Sequence, residues 1–571
     1  MTSNAEAAEI FRTIADLLDV LGEKFKPEAY RRAARSIESL TEDLAEVAAR
    51  GELRSVPGVG EAIAEKTEEY LRTGKISYYE RLKREVPAGI VELMRLPGLG
   101  PKTARRFWVE LGVEGPAELR DAIAAGRLAG LKGFGAKKIE QLRSVLAAPA
   151  AGPGPARRPI EDVYPVALGL VRAIRDGAVV DRVEVAGSFR RARETVGDLD
   201  LLVTSKDPGS VFDTFSALAL VAEVKMRGET KETVLLQGGL QVDLRVVKPE
   251  EFGAALQYFT GSKDHNVHLR SRARDRGLKV NEYGVFRDEE RVAGATEEDV
   301  YAALGLAWIP PELREDRGEI ELAARGTVPS LVTEPELRGD LHIHLEPGAP
   351  PDAVDRLVAA GQARRYSYLG VVVAGAGADG TPWTLPAPTL ARLEERSGPE
   401  LRLLRAIETG RGPVPDPTAR VPHDYRIVRP TARAPPAAAP NADGPRPELV
   451  AHVGASVARD AADLATWIEL ARRSAAAVEV GPGSERLDSV AARQAREAGL
   501  SLHLPTAVGA GPDDPTVRVA LGFARRAGVG PDRVVNARPV ERLRIGATGA
   551  RGSPTGGSHG HPRGRSGRPS D

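Results

Sequence analysis

The chain has 571 residues, 42% hydrophobic and 28% charged, with 80 basic side chains against 80 acidic ones. That length exceeds one ordinary core and predicts a multidomain globular protein built of units of about 150 residues. Zero net charge means that bulk electrostatics names no partner, and the lack of cysteine excludes disulfides, thiolate metal sites and cysteine nucleophiles.

The opening segment MTSNAEAAEIFRTIADLLDVLGEKF lacks a basic stretch followed by an apolar core, so no secretory signal is expected. No run of about 18 apolar residues predicts a membrane span, and a cytoplasmic location is expected. Up to about Leu146 the segments IFRTIADLLDVL, AYRRAARSIESL, AIAEKTEEYL and KTARRFWVEL repeat apolar residues at helical spacing and predict short amphipathic helices. Among them an apolar-Gly-apolar-Gly turn precedes a helix three times: SVPGVGEAIAEK (55–66), RLPGLGPKTARR (95–106) and the weaker GLKGFGAKKIEQ (130–141). Free N–H groups at such a helix start grip a phosphate without reading bases, and repetition argues against a mere tight turn. These turns resemble the helix-hairpin-helix motif of DNA repair proteins.

Residues 147–159, rich in Ala, Pro and Gly, read as a linker. The runs VDRVEVAGS, GDLDLLVTS, ETVLLQG and LQVDLRVV then predict strands with helices between them, a mixed α/β unit. From Glu251 to about Glu319 the pattern reads as helical. Between Leu337 and Ile545, runs such as YLGVVVAG and AAVEVG alternate with helices such as VAARQAREAG, predicting βα repeats and a barrel. Residues 429–448, rich in Pro and Ala, read as a mobile loop, and 546–571 as a disordered tail.

Two acids interrupt the apolar strand GDLDLLV. In a strand, alternate side chains share a face, so Asp198 and Asp200 project together while Leu199, Leu201 and Leu202 pack elsewhere. Like charges that close raise each other's pKa unless a cation intervenes, which points to a divalent metal, although an isolated Asp-x-Asp also suits a turn or strand end. Gly197 allows close approach of a phosphate, and VDLRV supplies Asp243 with Arg245 on one face of another strand. Three carboxylates suffice to bridge two hard cations about 3.5–4 Å apart.

The pattern apolar-Gly-Ser, nine residues, then Asp-apolar-Asp-apolar (186–201) is similar to the signature of the nucleotidyltransferase superfamily, in which the Gly-Ser turn holds a triphosphate. Gly187, Ser188 and Arg191 are suited to phosphate oxygens. With GSFRR, GDLD, QVDLR, QYFTGS and VNEYGVF together, the chain resembles bacterial family X DNA polymerases, the polymerase beta-like family, from about Ala5 to Ile545. The implied fold class is multidomain α+β. Helical helix-hairpin-helix domains (1–80, lyase-like, and 81–150, fingers-type) precede a nucleotidyltransferase palm (151–250) and a nucleotide-selecting thumb (251–325). A C-terminal α/β barrel (326–545) resembles the polymerase and histidinol phosphatase (PHP) domain, and a tail (546–571) follows.

The resemblance implies Asp198, Asp200 and Asp243 as ligands of two Mg²⁺ or Mn²⁺ ions, with Asp243 also helping to deprotonate a primer 3′-hydroxyl. It sets Ser188, Arg191 and Gly197 against the incoming triphosphate, Tyr258, Phe259 and Gly261 along the sugar, and Asn266 and Arg270 towards the minor-groove side. Lys263 stands where animal members carry an acid. Lys66 falls at the Schiff-base position of the lyase domain, with Lys26 as a 5′-phosphate binder and Tyr30 in support. Ala62 replaces a further phosphate-binding lysine.

RGDLHIHLEPGAP resembles the first PHP motif, which implies His342, His344 and Glu408 as residual ligands for Mn²⁺ or Zn²⁺, with His452 at another ligand position. VVVAGAG and LPTAVGA lack the ligands that the PHP family has there, so a degenerate domain is expected. The implied activity is template-directed gap filling in base-excision repair or end joining, by a monomer acting on gapped or nicked DNA and deoxynucleoside triphosphates, alongside DNA repair proteins. A 3′ to 5′ exonuclease acting through residual PHP metals and a non-catalytic DNA-binding scaffold stand as alternatives.

Overall fold

The computed structural model describes residues 4–543 apart from 24, 39–43, 57, 95–98, 132–133, 136–138, 141, 144–145, 147–156, 377–381, 410–422, 429–449, 452–463, 465–467, 470, 473–475, 484–485 and 512–513. Most of the 147–159 linker, the 429–448 loop, the 546–571 tail, His452 and parts of all three hairpin turns therefore lie outside the described residues.

The N-terminal segments form helices as their periodicity predicts, including Asn4–Leu21, Lys26–Glu38, Glu61–Thr73 and Pro101–Leu111. Their apolar faces share one core that runs from Ala7 to Leu146, across the boundary expected at residue 80. Arg105, from the second hairpin's helix, fastens the two halves by donating to the Val20 carbonyl at 2.7 Å. Gly60 and Gly100 precede their helices in extended conformation with no side-chain cap, so the first N–H groups are free of one.

The palm is a five-stranded mixed sheet in the order Arg182–Val185, Asp198–Thr204, Gln241–Val247, Lys231–Leu236, Val221–Arg227. Asp198–Thr204 and Gln241–Val247 run parallel and the other neighbours antiparallel. Strand alternation sends Leu199, Leu201 and Val203 into a core with Ile160, Val163, Leu170 and Phe212 from the covering helices. The opposite face meets the helix Phe252–Thr260, where Leu202 packs on Phe252, Ala255 and Leu256. Leu202 thus lies on the acids' side of the strand, not with Leu199 and Leu201, because the period of two assigns it there.

The 251–319 region departs from its helical expectation. Lys279–Asn281, Gly284–Arg287 and Glu290–Ala293 form a three-stranded antiparallel sheet. Gly284, at φ +153°, makes the turn after Tyr283, and the β-branched Val280 and Val285 pair across the strands.

The C-terminal unit forms βα repeats. Seven strands, Gly339–His344, Tyr368–Ala376, Arg402–Thr409, Tyr425–Val428, Val450–Ala451, Ala477–Glu479 and Leu502–His503, run parallel in that order, and Pro382–Thr384 adds an antiparallel edge to the second. The expected barrel is not closed by a backbone ladder among the described residues. The first and last strands are bridged by side chains instead: the buried Asn536 amide donates to the Gly339 and Leu504 carbonyls at 3.0 and 2.8 Å and accepts from Leu504 N–H. Palm and C-terminal unit share one apolar core, which includes Ile160 and Phe212 together with Val332, Val519 and Phe523. Among the described residues no helix is long and apolar enough to cross a membrane.

Candidate active site

The parallel pairing of Asp198–Thr204 with Gln241–Val247 sets Asp200 directly opposite Asp243. Asp198 lies exposed at the strand end and Asp200 half-buried behind it. Ala186 N–H donates to the Asp200 carbonyl at 2.8 Å, which seats the Gly187-Ser188 turn against the acids. At Gly187, φ is +66° and a Cβ would stand 2.5 Å from Asp200 Oδ2, so only glycine fits.

The carboxylates lack sufficient countercharge. Burial first, then the charges on Asp198 and Asp243, push the Asp200 carboxyl up to about 7, against the pull of Arg245 and Lys231. Asp243 is the better supported: Lys231 Nζ donates to one oxygen at 2.5 Å and Thr233 Oγ1 to the other at 2.7 Å. The Ser188 hydroxyl is buried with no hydrogen-bond partner among the described residues. A raised carboxyl beside a turn that holds an orphaned hydroxyl fits divalent cations together with an anionic ligand.

The remaining palm and thumb residues divide into those that reach the cleft and those that brace it. Arg191 is occupied: its Nη1 donates to the Thr260 and Gly261 carbonyls at 2.6 and 3.1 Å and its Nε to Glu315 at 2.9 Å. Tyr258 and Phe259 stand edge to face with centroids 5.2 Å apart, and the Arg245 guanidinium covers the Phe259 ring at 4.4 Å. Asn266 faces the turn: its amide donates to the Tyr258 carbonyl at 2.7 Å, and its Oδ1 accepts from Gln257 and would be 2.2 Å from a Cβ on Gly261. It holds the YFTG turn, whereas Arg270 and Lys263 are exposed and Gly197 lies buried beside Arg157.

Sequence reasoning missed the charge network beneath this cleft. Arg190 and Arg314 each make two hydrogen bonds to Glu297, at 2.7 and 2.9 Å and at 2.6 and 3.0 Å, which joins palm to thumb. Burial disfavours the Glu297 charge, yet the two guanidinium groups hold its carboxyl at about 2. It missed Lys231 too, although the i, i+2 spacing of Lys231 and Thr233 put them on one face; their pairing with Asp243 depends on strand register.

In the N-terminal unit Lys66 donates to the Ala62 carbonyl at 2.7 Å and lies 5.1 Å over the Tyr78 ring, in a groove that also includes Glu69, Ser77 and Arg81. Tyr30 is buried between Phe11 and Tyr78, and the exposed Lys26 pairs with Glu23 at 3.3 Å.

The C-terminal unit brings His342, His344 and Glu408 together, with ligand atoms all within 4.8 Å of one another. The two Nε2 atoms are 2.9 Å apart and Glu408 Oε1 is 3.7 and 3.8 Å from them, a spacing that suits three ligands of one ion. Around them stand residues that sequence reasoning did not select. Glu479 accepts from His342 Nδ1 at 2.7 Å and from Arg486 at 2.5 Å, and Asp340 accepts from Thr506. Burial alone would lower the His342 pKa, but Glu479 and Glu408 outweigh it and hold the imidazole at about 9. In LPTAVGA, Ala507 adopts φ +46°, a left-handed conformation that Asp and Asn tolerate better than Ala.

Fold and site together define a polymerase beta-like palm with its thumb, preceded by helix-hairpin-helix domains. The family profile described as DNA polymerase beta thumb matches residues 255–315, Helix-hairpin-helix domain matches 2–76, and SAM-like Helix-hairpin-helix tandem matches 90–148. The chain is similar to DNA polymerase/3′-5′ exonuclease PolX of Bacillus subtilis (strain 168), 34% identical over 367 residues, 63% of each chain. It is also similar to DNA polymerase lambda of Rattus norvegicus, 28% identical over 345 residues (55% of this chain, 56% of that one), and of Arabidopsis thaliana, 23% identical over 346 residues (54% and 62%). The chain thus matches less than two thirds of the length of each relative. These likenesses are to the polymerase beta-like family, its bacterial members included.

Proposed function

We propose that the protein is a template-directed DNA polymerase that fills short gaps during repair. The observation that carries this reading is the register that sets Asp200 against Asp243, with Asp198 beside them and, in the turn seated on Asp200, a buried Ser188 hydroxyl with no hydrogen-bond partner among the described residues. Asp198, Asp200 and Asp243 would hold divalent cations, Mg²⁺ or Mn²⁺. When bound, such ions lower the pKa of an attacking hydroxyl and neutralise charge on the transferred phosphoryl group.

The chain's own residues supply position. The Gly187-Ser188 turn offers a backbone approach and a free hydroxyl to a phosphate oxygen, and Arg191 lies next to it with a forked cation. Lys231 and Thr233 fix the Asp243 carboxylate, so that it accepts a proton from the primer hydroxyl in one orientation. Asn266 holds the Tyr258–Gly261 turn, which presents backbone and ring to the sugar. The uncapped helix starts at Gly60 and Gly100 grip the DNA backbone on either side of a gap.

We further propose that 326–545 is a degenerate PHP-related domain that keeps one ion site, at His342, His344 and Glu408, and contributes no DNA digestion. The protein acts as a monomer on 5′-phosphorylated gaps, and repair proteins recruit it. Lys66, at the Schiff-base position, is tested by borohydride trapping on an abasic-site substrate, where no adduct removes the lyase assignment. The polymerase reading is tested by single-nucleotide addition to a 5′-phosphorylated one-nucleotide gap with Mg²⁺ or Mn²⁺. Template-matched addition is expected, and tight gap binding with no addition by either metal would return the scaffold reading.

A further inference from the structure

The C-terminal unit touches the palm next to Arg191. Its helix Thr516–Arg526 lays Gly522 on Ala192, where a Cβ would meet the Ala192 methyl at 2.7 Å, and Ala192 itself sits at φ +50°. At the end of that helix Arg526 is buried, 3% exposed. Its Nη1 donates to the Arg191 carbonyl at 3.2 Å and to Glu315 Oε1 at 2.7 Å, while its Nε stands 3.6 Å from Glu194 Oε1. Glu194 is held in turn by the Ser489 hydroxyl of the same C-terminal unit. Arg525, one residue earlier, makes a forked pair with Glu312 at 2.7 and 3.3 Å.

The consequence falls on Glu315. This thumb carboxylate bonds the Arg191 Nε at 2.9 Å, stands 3.7 Å from Arg193, and shares the same Oε1 with Arg526. One acid is therefore divided among three guanidinium groups from two units. Burial opposes its charge, but Arg526 and Arg191 together hold its carboxyl at about 2, so it stays ionised. Without Arg526, Glu315 would give its full charge to Arg191 and Arg193 and draw the Arg191 fork away from a phosphate ligand.

We infer that Arg526 is a positioning residue for the incoming nucleotide: by sharing Glu315 and holding the Arg191 carbonyl, the C-terminal unit fixes the Arg191 fork so that Nη2, which has no hydrogen bond among the described residues, is presented to a triphosphate. This gives a domain with a depleted metal site a role in the palm's chemistry. The inference rests on the polymerase reading, since Arg191 is assigned to the triphosphate only through it.

The test uses the full chain in gap filling, with KM for the nucleotide and kcat measured separately and gapped-DNA affinity as a control. Arg526→Gln is expected to raise the nucleotide KM by about tenfold, the effect of losing one charge-assisted contact, with kcat and DNA affinity within about twofold. Arg526→Lys should recover part of the loss, and adding Glu315→Gln to Arg526→Gln should return KM towards the starting value, which a merely structural role for Arg526 would not produce. If Arg526→Gln fails to fold, Gly522→Ala displaces the Ala192 loop from the same side and should raise KM alone. An unchanged KM in a folded Arg526→Gln or Gly522→Ala protein overturns the inference, as does a double variant no better than the single one. Absence of template-matched addition by the unsubstituted chain would instead overturn the polymerase reading itself.

Discussion

The palm and the C-terminal unit each place acids on parallel strands, but they treat the resulting charge differently. In the palm, three carboxylates meet Lys231 as the single hydrogen-bonded cation described, and Asp200 is pushed up to about 7. In the C-terminal unit, Glu479 is held between Arg486 and His342, and His342 is held at about 9. Buried acids that the protein neutralises with its own cations fix a fold, whereas acids left short of countercharge await a ligand. The difference separates an acidic cluster short of countercharge from one that its own cations neutralise.

The comparison breaks most readily at Asp243. Asp243→Ala should lower single-nucleotide addition by roughly 10³-fold while gapped-DNA affinity, measured by anisotropy, stays within about twofold. An addition rate unchanged by the substitution would remove the metal assignment. Next in size is Glu479→Ala, which leaves Arg486 and His342 without their carboxylate and should cost about 3 kcal/mol in urea unfolding. The exposed Asp198→Ala should cost less than about 0.5 kcal/mol in the same assay. Equal losses at the two positions would erase the contrast.

Asp200→Asn sharpens the contrast through pH. Because the folded pKa of about 7 lies above the ordinary 3.8, the native state holds a proton that the unfolded chain releases. Stability from this group is complete below the ordinary value and is lost as pH rises towards the folded one. In chelator above that pH, Asp200→Asn should raise the melting midpoint by a few degrees, with no gain near pH 4. Mn²⁺ should then stabilise the unsubstituted protein more than the variant. An equal gain at both pH values would show that the carboxyl is unperturbed.

The smallest effect belongs to His342→Ala, which should leave nucleotide addition within about twofold. The same protein is assayed for release of nucleotides from 3′-labelled DNA in Mn²⁺. Digestion that survives Asp243→Ala and disappears with His342→Ala would restore the exonuclease alternative.

Much of the palm was legible because its signals are local. The Gly-Ser turn, the nine-residue spacing and the alternation of Asp198 and Asp200 lie within one short segment, where the strand period alone fixes who shares a face. The thumb sheet was not legible: its strands are three to four residues long, too short for a period to outweigh flanking helical patterns. Glu479 carried the same cue as Asp198, an acid in an apolar run, but its value depends on His342, 137 residues away. The barrel expectation followed from βα alternation, which predicts neighbouring strands but not whether the last one meets the first through backbone or through Asn536.

By itself the sequence carried the family resemblance, the helical hairpin segments and the expectation that Asp198, Asp200 and Asp243 share a site, because each rests on residue types at short spacing. Tertiary structure alone decided that Asp200 opposes Asp243, that Asn266 braces a turn, and that Arg526 shares Glu315 with Arg191. Those facts come from strand register and from contacts between residues up to 335 positions apart. Local periodicity carries no information about such partners; packing of one unit on another creates them.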